Sequence, residues 1–398
     1  MRSPATFDPL AYLEDPDAEL RRCSAEHWYA DGMDPVGEPM PWVLDHHGVH
    51  TVLRDRRLTP RSFVDDMLAS GLSERTAYQL TPLFRRDGDE HRRHRALLSS
   101  AFSPRSVERL RPTTAAIAGR LADEIVAADG RCSFVEAFAG PLPPEVFAVL
   151  FGLPVEDRTR LASWAAAVTQ AFLPGMTPEI VASIESAASE LRTYCDELIA
   201  VRRREPADDL ITSLIEAEVD GERLDDVDIN DTMSGFIFAG AETTRRQITA
   251  MVLAFAGRPD AWRRVAEDAS RIPGAVEEVL RHRPIVPALT RVAVEPFAHD
   301  DLEVPVGDRL LASFTTANHD PAVFTDPDDF DIERSNAGDH VTFGWGPHFC
   351  LGAGLARVEL QESLRALTER FGPPEIIDVA ATTGMVAPDE VELIFGRR

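Results

Sequence analysis

The sequence of 398 residues contains no lysine, so every one of its 41 basic residues is an arginine. Chemistry through a lysine Schiff base is therefore excluded, and any site for an anion must use guanidinium or imidazole groups. The 67 acidic residues bring the formal net charge to −26 at pH 7. Such an excess of negative charge argues against nucleic acid and against anionic membrane surfaces as partners.

Cysteine is also scarce, and the four cysteines lie far apart without a CxxC pair. Structural zinc and iron–sulfur clusters are therefore poorly supported. No apolar run is long enough to span a membrane, and the first residues lack the hydrophobic segment of a signal peptide. We expect a cytoplasmic protein that does not enter the membrane and whose cysteines are reduced.

Two kinds of hydrophobic periodicity alternate along the chain. Helical spacing dominates from about residue 90 to residue 281. Short strand-like runs precede and follow this region; they are Trp42–Leu44, Thr51–Leu53, Arg291–Val294, Leu302–Val304 and Arg309–Phe314. The sequence has no internal repeat, low-complexity tract or linker. We therefore expect a mainly α protein with minor β content at both ends, folded as a single domain over residues 1–398.

One long helix is predicted over Val227–Ala256, because this segment contains no proline and is followed by Gly257 and Pro259. At ~1.5 Å per residue it would be roughly 45 Å long, enough to cross the whole protein. Residues 236–241 are apolar on all sides and run directly into Glu242 and Thr243. Polar groups at the centre of a buried helix break local rules, which is where function is usually found.

A second unusual segment surrounds Cys350, where residues 343–352 read Phe-Gly-Trp-Gly-Pro-His-Phe-Cys-Leu-Gly. Two glycines and a proline beside one cysteine predict a tight loop that approaches a flat or bulky group closely. A helix expected to begin near Leu351 would direct its free N–H groups at the sulfur and favour the thiolate. From these residues alone, a buried structural cysteine and a nucleophile paired with His348 remain open alternatives.

Residues 343–352 also match every fixed position of the signature F-G-x-G-x-H/R-x-C-x-G. In this the chain resembles the cytochrome P-450 family, specifically its soluble bacterial members, and further motifs in the family's order extend the resemblance over nearly the whole chain. The resemblance implies the helix-rich, triangular P-450 fold, with the long helix crossing heme b (iron protoporphyrin IX). It implies that Cys350 is the iron ligand.

The resemblance assigns further residues to the cofactor. His91 and Arg95 stand at i, i+4 on one helix face, and with Arg291 and His348 they match the family's propionate ligands. Four such groups around two carboxylates suit a lysine-free protein. The E-x-x-R motif of Glu278 and Arg281, with Arg334 from a downstream F-D-x-x-R, is implied to support the haem loop structurally.

Residues 239–244 match the family's A-G-x-D/E-T-T/S motif. The resemblance implies that Glu242 and Thr243 deliver protons for the activation of dioxygen, while Gly240 leaves room for the ligand. An alternative is that the Thr243 hydroxyl only bonds back to the helix and bends it. Both can hold at once.

Position in the family pattern also nominates the walls of the substrate pocket: Gly235, Phe238, Ala239, Val286, Ala288 and Leu289. The segments Ser62–Leu83 and Phe172–Pro178 would form a mobile lid and entry. Because the nominated side chains are apolar or small, we expect a small-molecule substrate that is mostly hydrophobic.

The sequence has no flavin or nicotinamide motif, so electrons must come from separate chains, a ferredoxin and a ferredoxin reductase. The arginine-rich stretch Arg85–Arg95 is the expected docking patch for an acidic ferredoxin. The favoured function is a haem-thiolate monooxygenase. Other haem-thiolate chemistry (peroxygenation, oxidative coupling or nitration) and a non-catalytic haem scaffold are the alternatives.

Overall fold

The computed structural model describes residues 4–8, 11–12, 15–34, 37–172, 176–380 and 387–397. The α-helices in these ranges are α1 Pro16–Glu26, α2 His46–Arg54, α3 Ser62–Ala69, α4 Glu74–Leu80, α5 Gly88–Ala101, α6 Pro104–Glu108, α7 Arg111–Ala127, α8 Leu142–Leu150, α9 Arg158–Val168, α10 Pro178–Arg204, α11 Leu210–Glu216, α12 Asp226–Ala256, α13 Pro259–Glu267, α14 Ile272–His282, α15 Phe314–Ala317 and α16 Ala353–Arg370. The strands are β1 Ala5–Thr6, β2 Tyr29–Met33, β3 Pro39–Val43, β4 Leu58–Thr59, β5 Arg131–Ser133, β6 Glu218–Val219, β7 Glu222–Arg223, β8 Ala288–Ala293, β9 Phe297–His299, β10 Leu302–Val304, β11 Arg309–Ser313, β12 Phe371–Val379 and β13 Val391–Arg397.

The main sheet joins strands from distant parts of the chain, in the order β1-β2-β3-β11-β8-β4. Its central link is the parallel pair β3–β11, in which Leu311 lies opposite Trp42. A smaller sheet has the order β12-β13-β5, and β9–β10 and β6–β7 form hairpins. The two strand-bearing ends predicted from the sequence thus largely share one sheet, and β8 carries Arg291 to its place beside α3.

The predicted strand over Thr51–Leu53 is wrong, because these residues belong to α2. The Asp45 side chain caps this helix by accepting a hydrogen bond from the Gly48 N–H at 2.7 Å. Buried apolar residues follow helical spacing along one face of α2: Val49, Val52 and Leu53. A short apolar run favours a strand locally, whereas the cap and the one-sided burial favour a helix.

The long helix is confirmed, and α12 begins one residue before the predicted start and ends where predicted. Asp225 caps it by accepting a hydrogen bond from the Asp228 N–H at 2.7 Å. The helix lies within the largest hydrophobic cluster and packs against α4, α8, α10 and α16. No helix of the described ranges is long and apolar enough to cross a membrane.

A buried ion-pair network is centred on Glu278 of α14. Its two carboxylate oxygens accept hydrogen bonds from Arg281, each at 2.8 Å, and both side chains are fully buried. The Arg334 Nε lies 3.2 Å from the same carboxylate, and the Asp331 N–H donates to it at 2.9 Å. Two guanidinium groups therefore offset the cost of desolvating one carboxylate.

The network reaches the cysteine loop through Asn318. Arg281 donates to the Asn318 carbonyl at 2.8 Å. The Asn318 side chain accepts from the Val341 N–H at 2.8 Å and donates to the Thr342 hydroxyl at 2.9 Å. The chain entering the loop at Phe343 is thus tied to the ion pairs, in agreement with the supporting role that the resemblance implies.

Replacing Glu278 with glutamine should destabilise the protein by about 3–5 kcal/mol, because two buried guanidinium groups lose their counter-charge. The measurement is the free energy of unfolding from urea titration. Glu333→Gln is the control, since Glu333 is half-exposed and its ion pairs with Arg264 and Arg271 lie at the surface. It should cost under about 1 kcal/mol. Equal losses in the two variants would contradict the role given to Glu278.

Candidate active site

The loop before Cys350 depends on two glycines with left-handed backbone, Gly344 at φ +70° and Gly346 at φ +73°. A Cβ on Gly346 would also lie 2.9 Å from the Leu53 carbonyl, so the loop approaches α2 more closely than a side chain allows. The Cys350 N–H donates to the Phe343 carbonyl at 2.8 Å and closes the loop. This hydrogen bond and the two glycine turns fix the position of Cys350 before the start of α16.

The helix after the cysteine begins at Ala353 and not near Leu351 as predicted. The Cys350 residue is accessible to solvent, yet the surrounding protein desolvates its sulfur. Burial raises the pKa of the Cys350 thiol, although the N–H groups of Gly352 and Ala353 and the charge of Arg95 act in the opposite direction. The N–H groups at the start of α16 thus act in the direction expected from the sequence, but burial outweighs them in the protein without a metal ion. A metal ion bound at the sulfur would take the place of the thiol proton.

His91 of α5 contacts His348 of the cysteine loop, and the two ring centroids are 4.0 Å apart. The His348 Nε2 lies 3.4 Å from Asp87, which also accepts a hydrogen bond from the Thr59 hydroxyl. The His91 Nε2 is buried and has no hydrogen-bond partner within the described residues. Burial lowers the pKa of His91 to about 4 and also lowers the pKa of His348. Burial therefore favours the neutral form of both rings.

Two arginines stand beside these histidines. Arg291 is 2% exposed, and its guanidinium makes one hydrogen bond among the described residues, to the Thr290 carbonyl at 2.9 Å. Burial lowers its pKa to about 10. Arg95 donates to the Phe349 carbonyl at 2.5 Å, and burial lowers its pKa too.

The structure thus gathers four hydrogen-bonding side chains near Cys350: His91, Arg95, Arg291 and His348. Two of them, His91 and Arg291, have fewer partners than they can bind. A buried donor without an acceptor costs about 1–3 kcal/mol, and a carboxylate is the acceptor that suits guanidinium best. A flat ligand that carries carboxylates at one edge and binds Cys350 at its metal satisfies this set. These residues fit a haem with two propionates.

The sequence analysis did not predict a second group of ion pairs near the loop, formed by Glu277, His340 and Arg357. Arg357 donates to Glu277 at 2.7 and 2.9 Å and covers the Phe343 ring at 4.6 Å from its centroid. His340 lies 3.3 Å from the same carboxylate. Burial opposes ionisation, yet the contacts with His340 and Arg357 hold the pKa of Glu277 at about 2. The i+7 spacing of Arg357 from Cys350 was a weak signal for this contact.

On α12, Thr243 and Glu242 bond to different partners. The Thr243 hydroxyl donates to the Ala239 carbonyl at 2.7 Å, which is the back-bonded arrangement considered as an alternative. Glu242 pairs with Arg245 at 2.7 Å and with Arg246 at 2.6 Å. Burial opposes ionisation, but these two arginines hold the pKa of Glu242 below its usual range. The acid and the alcohol share no hydrogen bond.

Two glycines of α12 serve packing. A Cβ on Gly240 would lie 2.5 Å from the Phe147 Cζ of α8, so this glycine makes room for Phe147. Whether it also leaves space for a ligand stays a prediction. A Cβ on Gly235 would lie 2.6 Å from the Pro82 Cδ, so this glycine lets α12 approach the turn that follows α4. Its place in the pocket wall stays a prediction.

Among the other nominated pocket residues, Phe238 belongs to an aromatic cluster. Phe238 is buried and stacks on Phe172, with centroids 4.3 Å apart and planes 6° from parallel. Phe63 lies 5.8 Å from Phe172 and 5.6 Å from Phe84. Ala239 is exposed, and three further candidates are half-buried: Val286, Ala288 and Leu289. A hydrogen bond of 2.9 Å between Ser62 and Thr290 joins α3 to β8 near these residues.

The segment predicted as a lid, Ser62–Leu83, contains α3 and α4 and is bonded to the long helices. Arg75 of α4 pairs with the buried Asp231 of α12 at 2.6 Å. The Gln79 side chain donates to Ser234 at 2.9 Å. The second segment, Phe172–Pro178, is described only in part, since residues 173–175 lie outside the described residues.

A family model with the description Cytochrome P450 matches residues 32–373. The chain belongs to the cytochrome P450 family. Luteothin monooxygenase from Streptomyces thioluteus is 34% identical over 360 residues, covering 89% of this chain and 88% of that protein. The cyclomarin C epoxidase CymV from Salinispora arenicola is 35% identical over 89% of this chain and 95% of its own length.

Solved P450 structures share the fold. Cytochrome P450 CYP109Q5 from Chondromyces apiculatus superposes with a TM-score of 0.87, at 28% identity and full coverage of both chains. P450BioI in complex with an acyl carrier protein ligated to hexadec-9Z-enoic acid gives 0.85 at 28% identity, covering 97% of this chain and 99% of that one. The predicted fold is confirmed. This P450 is a monooxygenase that binds haem b.

Cys350→Ser should abolish thiolate ligation of the haem iron, because a hydroxyl at this position retains its proton and donates little charge to the metal. The reduced P450 with carbon monoxide should show a strongly red-shifted Soret band, and the variant should lose it. Cys195→Ser is the matched control, since this cysteine is buried on α10, away from the loop. A red-shifted band that survives in Cys350→Ser would contradict the ligand assignment.

Proposed function

We propose that this P450 inserts one oxygen atom from dioxygen into a small, mostly hydrophobic organic molecule of bacterial specialised metabolism or catabolism. The observation that carries the proposal is the aromatic cluster around Phe238, which lies on α12 one turn before Glu242. Among the relatives, PikC from Streptomyces venezuelae is a cytochrome P450 monooxygenase, 34% identical over 93% of this chain. Luteothin monooxygenase and the cyclomarin C epoxidase support a role in specialised metabolism.

The substrate preference follows from the side chains around Ala239. The rings of Phe63, Phe84 and Phe172 are only partly buried, so they offer apolar faces to a ligand. Burying apolar area yields about 25 cal/mol per Å², which favours a substrate without charge at this end. Val286 and Leu289 extend the apolar surface toward β8.

The chain's own contribution to the chemistry is proton supply. Haem with a thiolate ligand supplies dioxygen activation and O–O cleavage when bound. The Thr243 hydroxyl can hold a proton at Oγ1 on the helix face beside Ala239, and Glu242 precedes it by one residue. We propose that Glu242 passes protons to Thr243 on this face of α12.

Thr243→Ala should leave substrate binding nearly unchanged and divert reducing equivalents to hydrogen peroxide. Losing a positioned proton donor slows its step by about 10²–10⁴-fold. The measurement is the ratio of product to electrons consumed. Thr249→Ala is the matched control, because the Thr249 hydroxyl bonds back to the Arg245 carbonyl at 3.0 Å on the same helix. It should keep the parent ratio, which separates proton supply from helix bending.

An unchanged ratio in Thr243→Ala would remove this residue from the relay. It would favour peroxide-driven chemistry, which needs no relay. Turnover with hydrogen peroxide in place of electron donors and dioxygen then decides between the two functions.

Electron delivery by a separate ferredoxin and its reductase, in the cytoplasm, belongs to the same proposal. We propose that the docking patch leaves out Arg85 and Arg86, because these side chains are less exposed and pair with Asp231 and Asp228. Arg92 and Arg93 pair with the exposed acids Asp89 and Glu222, and 70% and 58% of their side chains are accessible. These two guanidinium groups are the proposed contacts for an acidic partner.

Arg92→Glu combined with Arg93→Glu should slow the first electron transfer from a ferredoxin, mainly by lowering the association rate. The measurement is stopped-flow reduction under carbon monoxide across a salt series, because the Debye length falls from about 10 Å at 0.1 M to about 3 Å at 1 M. Arg263→Glu is the control, as an exposed arginine on α13. Parent rates at low salt in the double variant would place the docking surface elsewhere.

A further inference from the structure

Four phenylalanine rings from four separate segments meet near the middle of α12. Phe63 comes from α3, Phe84 follows α4, Phe172 follows α9, and Phe238 lies on α12. Phe63 is next to all three of the others, with ring centroids 5.6 Å from Phe84, 5.8 Å from Phe172 and 6.4 Å from Phe238. Aromatic residues make up 7% of the chain, so four neighbouring rings are a local concentration.

The rings of this cluster pair in two ways. Phe172 and Phe238 are parallel, with planes 6° apart and centroids 4.3 Å apart, whereas Phe63 meets Phe84 at 65°, edge to face. The face of an aromatic ring is negative and its edge is positive, so aromatic pairs favour offset-stacked and edge-to-face arrangements. The cluster is therefore built from oriented rings, and a further ring can join it by stacking or by presenting its edge.

Part of the aromatic surface is not used within the cluster. Phe238 is 1% exposed and is covered by the stacked ring of Phe172. Phe63, Phe84 and Phe172 are only partly buried, and each packs at the border of the main hydrophobic cluster. Ala239, the residue after Phe238, is exposed and precedes Thr243 by one turn. A ligand on this side of α12 therefore meets aromatic rings close to the residue proposed for the chemistry.

The hydroxyl groups next to the cluster already have partners. The Ser62 hydroxyl precedes Phe63 in the chain and lies 2.9 Å from the Thr290 hydroxyl of β8. The Thr243 hydroxyl donates to the Ala239 carbonyl at 2.7 Å. Because these groups are engaged with each other or with the backbone, recognition of a ligand at this place depends mainly on the rings.

We propose that the substrate carries an aromatic ring or a flat conjugated segment, and that this part of the substrate binds against Phe63 and Phe172. Phe63 is the specificity-determining residue, because it adjoins both the stacked pair and the edge-to-face partner. The inference rests on the proposed function. It narrows the substrate class from hydrophobic molecules in general to molecules with an aromatic or planar part.

A pair of iron-binding probes separates aromatic recognition from simple hydrophobic burial. An alkylimidazole binds haem iron through its ring nitrogen and shifts the Soret band, so a titration of the haem-loaded P450 gives its Kd. The probes are imidazoles that end in a phenyl or a cyclohexyl ring, with linkers of one, two or three methylenes. Within each pair the anchor and the reach are the same. The cyclohexyl ring has more apolar area, so area alone favours it.

The parent should bind the phenyl probe about 2–12-fold more tightly than its cyclohexyl partner, at the linker length that reaches the cluster. This is the preference expected from one aromatic pair. Phe63→Leu should remove most of the preference and change the cyclohexyl Kd little, because leucine is also apolar. Phe63→Tyr keeps an aromatic ring and should keep the preference.

Phe236→Leu is the matched control. Phe236 also lies on α12 and is partly buried, but its ring pairs edge to face with Phe102 at 4.5 Å. This variant should keep the parent preference. Phe84→Leu is a second variant of the cluster and should lower the preference, because Phe63 loses its edge-to-face partner. The red-shifted band with carbon monoxide verifies that each variant holds its haem.

The outcomes separate the inference from the proposed function. Tighter binding of the cyclohexyl probe by the parent, or an equal loss of affinity for both probes in Phe63→Leu and Phe84→Leu, would overturn aromatic selection and leave a hydrophobic pocket. Parent Kd values for both probes in both variants would overturn the inference and remove the cluster from the pocket wall. Proton supply is tested independently, by the ratio of product to electrons in Thr243→Ala. A phenyl preference that is lost in Phe63→Leu and kept in Phe236→Leu supports the inference.

Discussion

The place of the Cys350 sulfur depends on one fully buried carboxylate, that of Glu278. This carboxylate binds Arg281 and Arg334, and Arg281 in turn donates to the backbone carbonyl of Asn318. The side chain of Asn318 then bonds to residues 341 and 342, at the entrance to the cysteine loop. A buried charge tolerates no loss of its partners, so the loop cannot shift without a large energetic cost. The candidate iron ligand is thus positioned by ion pairs that lie outside the cysteine loop.

The cofactor edge is built on the opposite principle. Arg291 and His91 are buried with fewer hydrogen-bond partners than they can bind. This lowers the stability of the protein without a ligand and favours the binding of a ligand that brings carboxylates. Since the chain contains no lysine, arginine and imidazole groups supply all of these donors. Cys350 follows the same logic, because burial raises its thiol pKa and a bound iron would take the place of the proton. The residues of the site therefore fit a haem.

The centre of α12 combines packing with chemistry. Gly240 admits Phe147, so the interior glycine is explained by a helix contact. Thr243 bonds to its own helix, and Glu242 is paired with arginines one turn further on. The polar residues of the apolar helix are therefore each satisfied locally, and the proposed relay would have to rearrange these bonds.

Local patterns in the sequence determined much of this protein: the bounds of α12 from its uninterrupted periodicity, and the candidate ligand Cys350 from a contiguous motif. The i+3 and i+4 spacing of Arg245 and Arg246 from Glu242 was also present in the sequence. Contacts between distant segments were decided only by the tertiary structure, such as the parallel pairing of β3 with β11 and the contact of Arg246 with Asp389. Spacing along one element specifies which side chains share a face, whereas burial and partner choice depend on what the rest of the chain packs against that face.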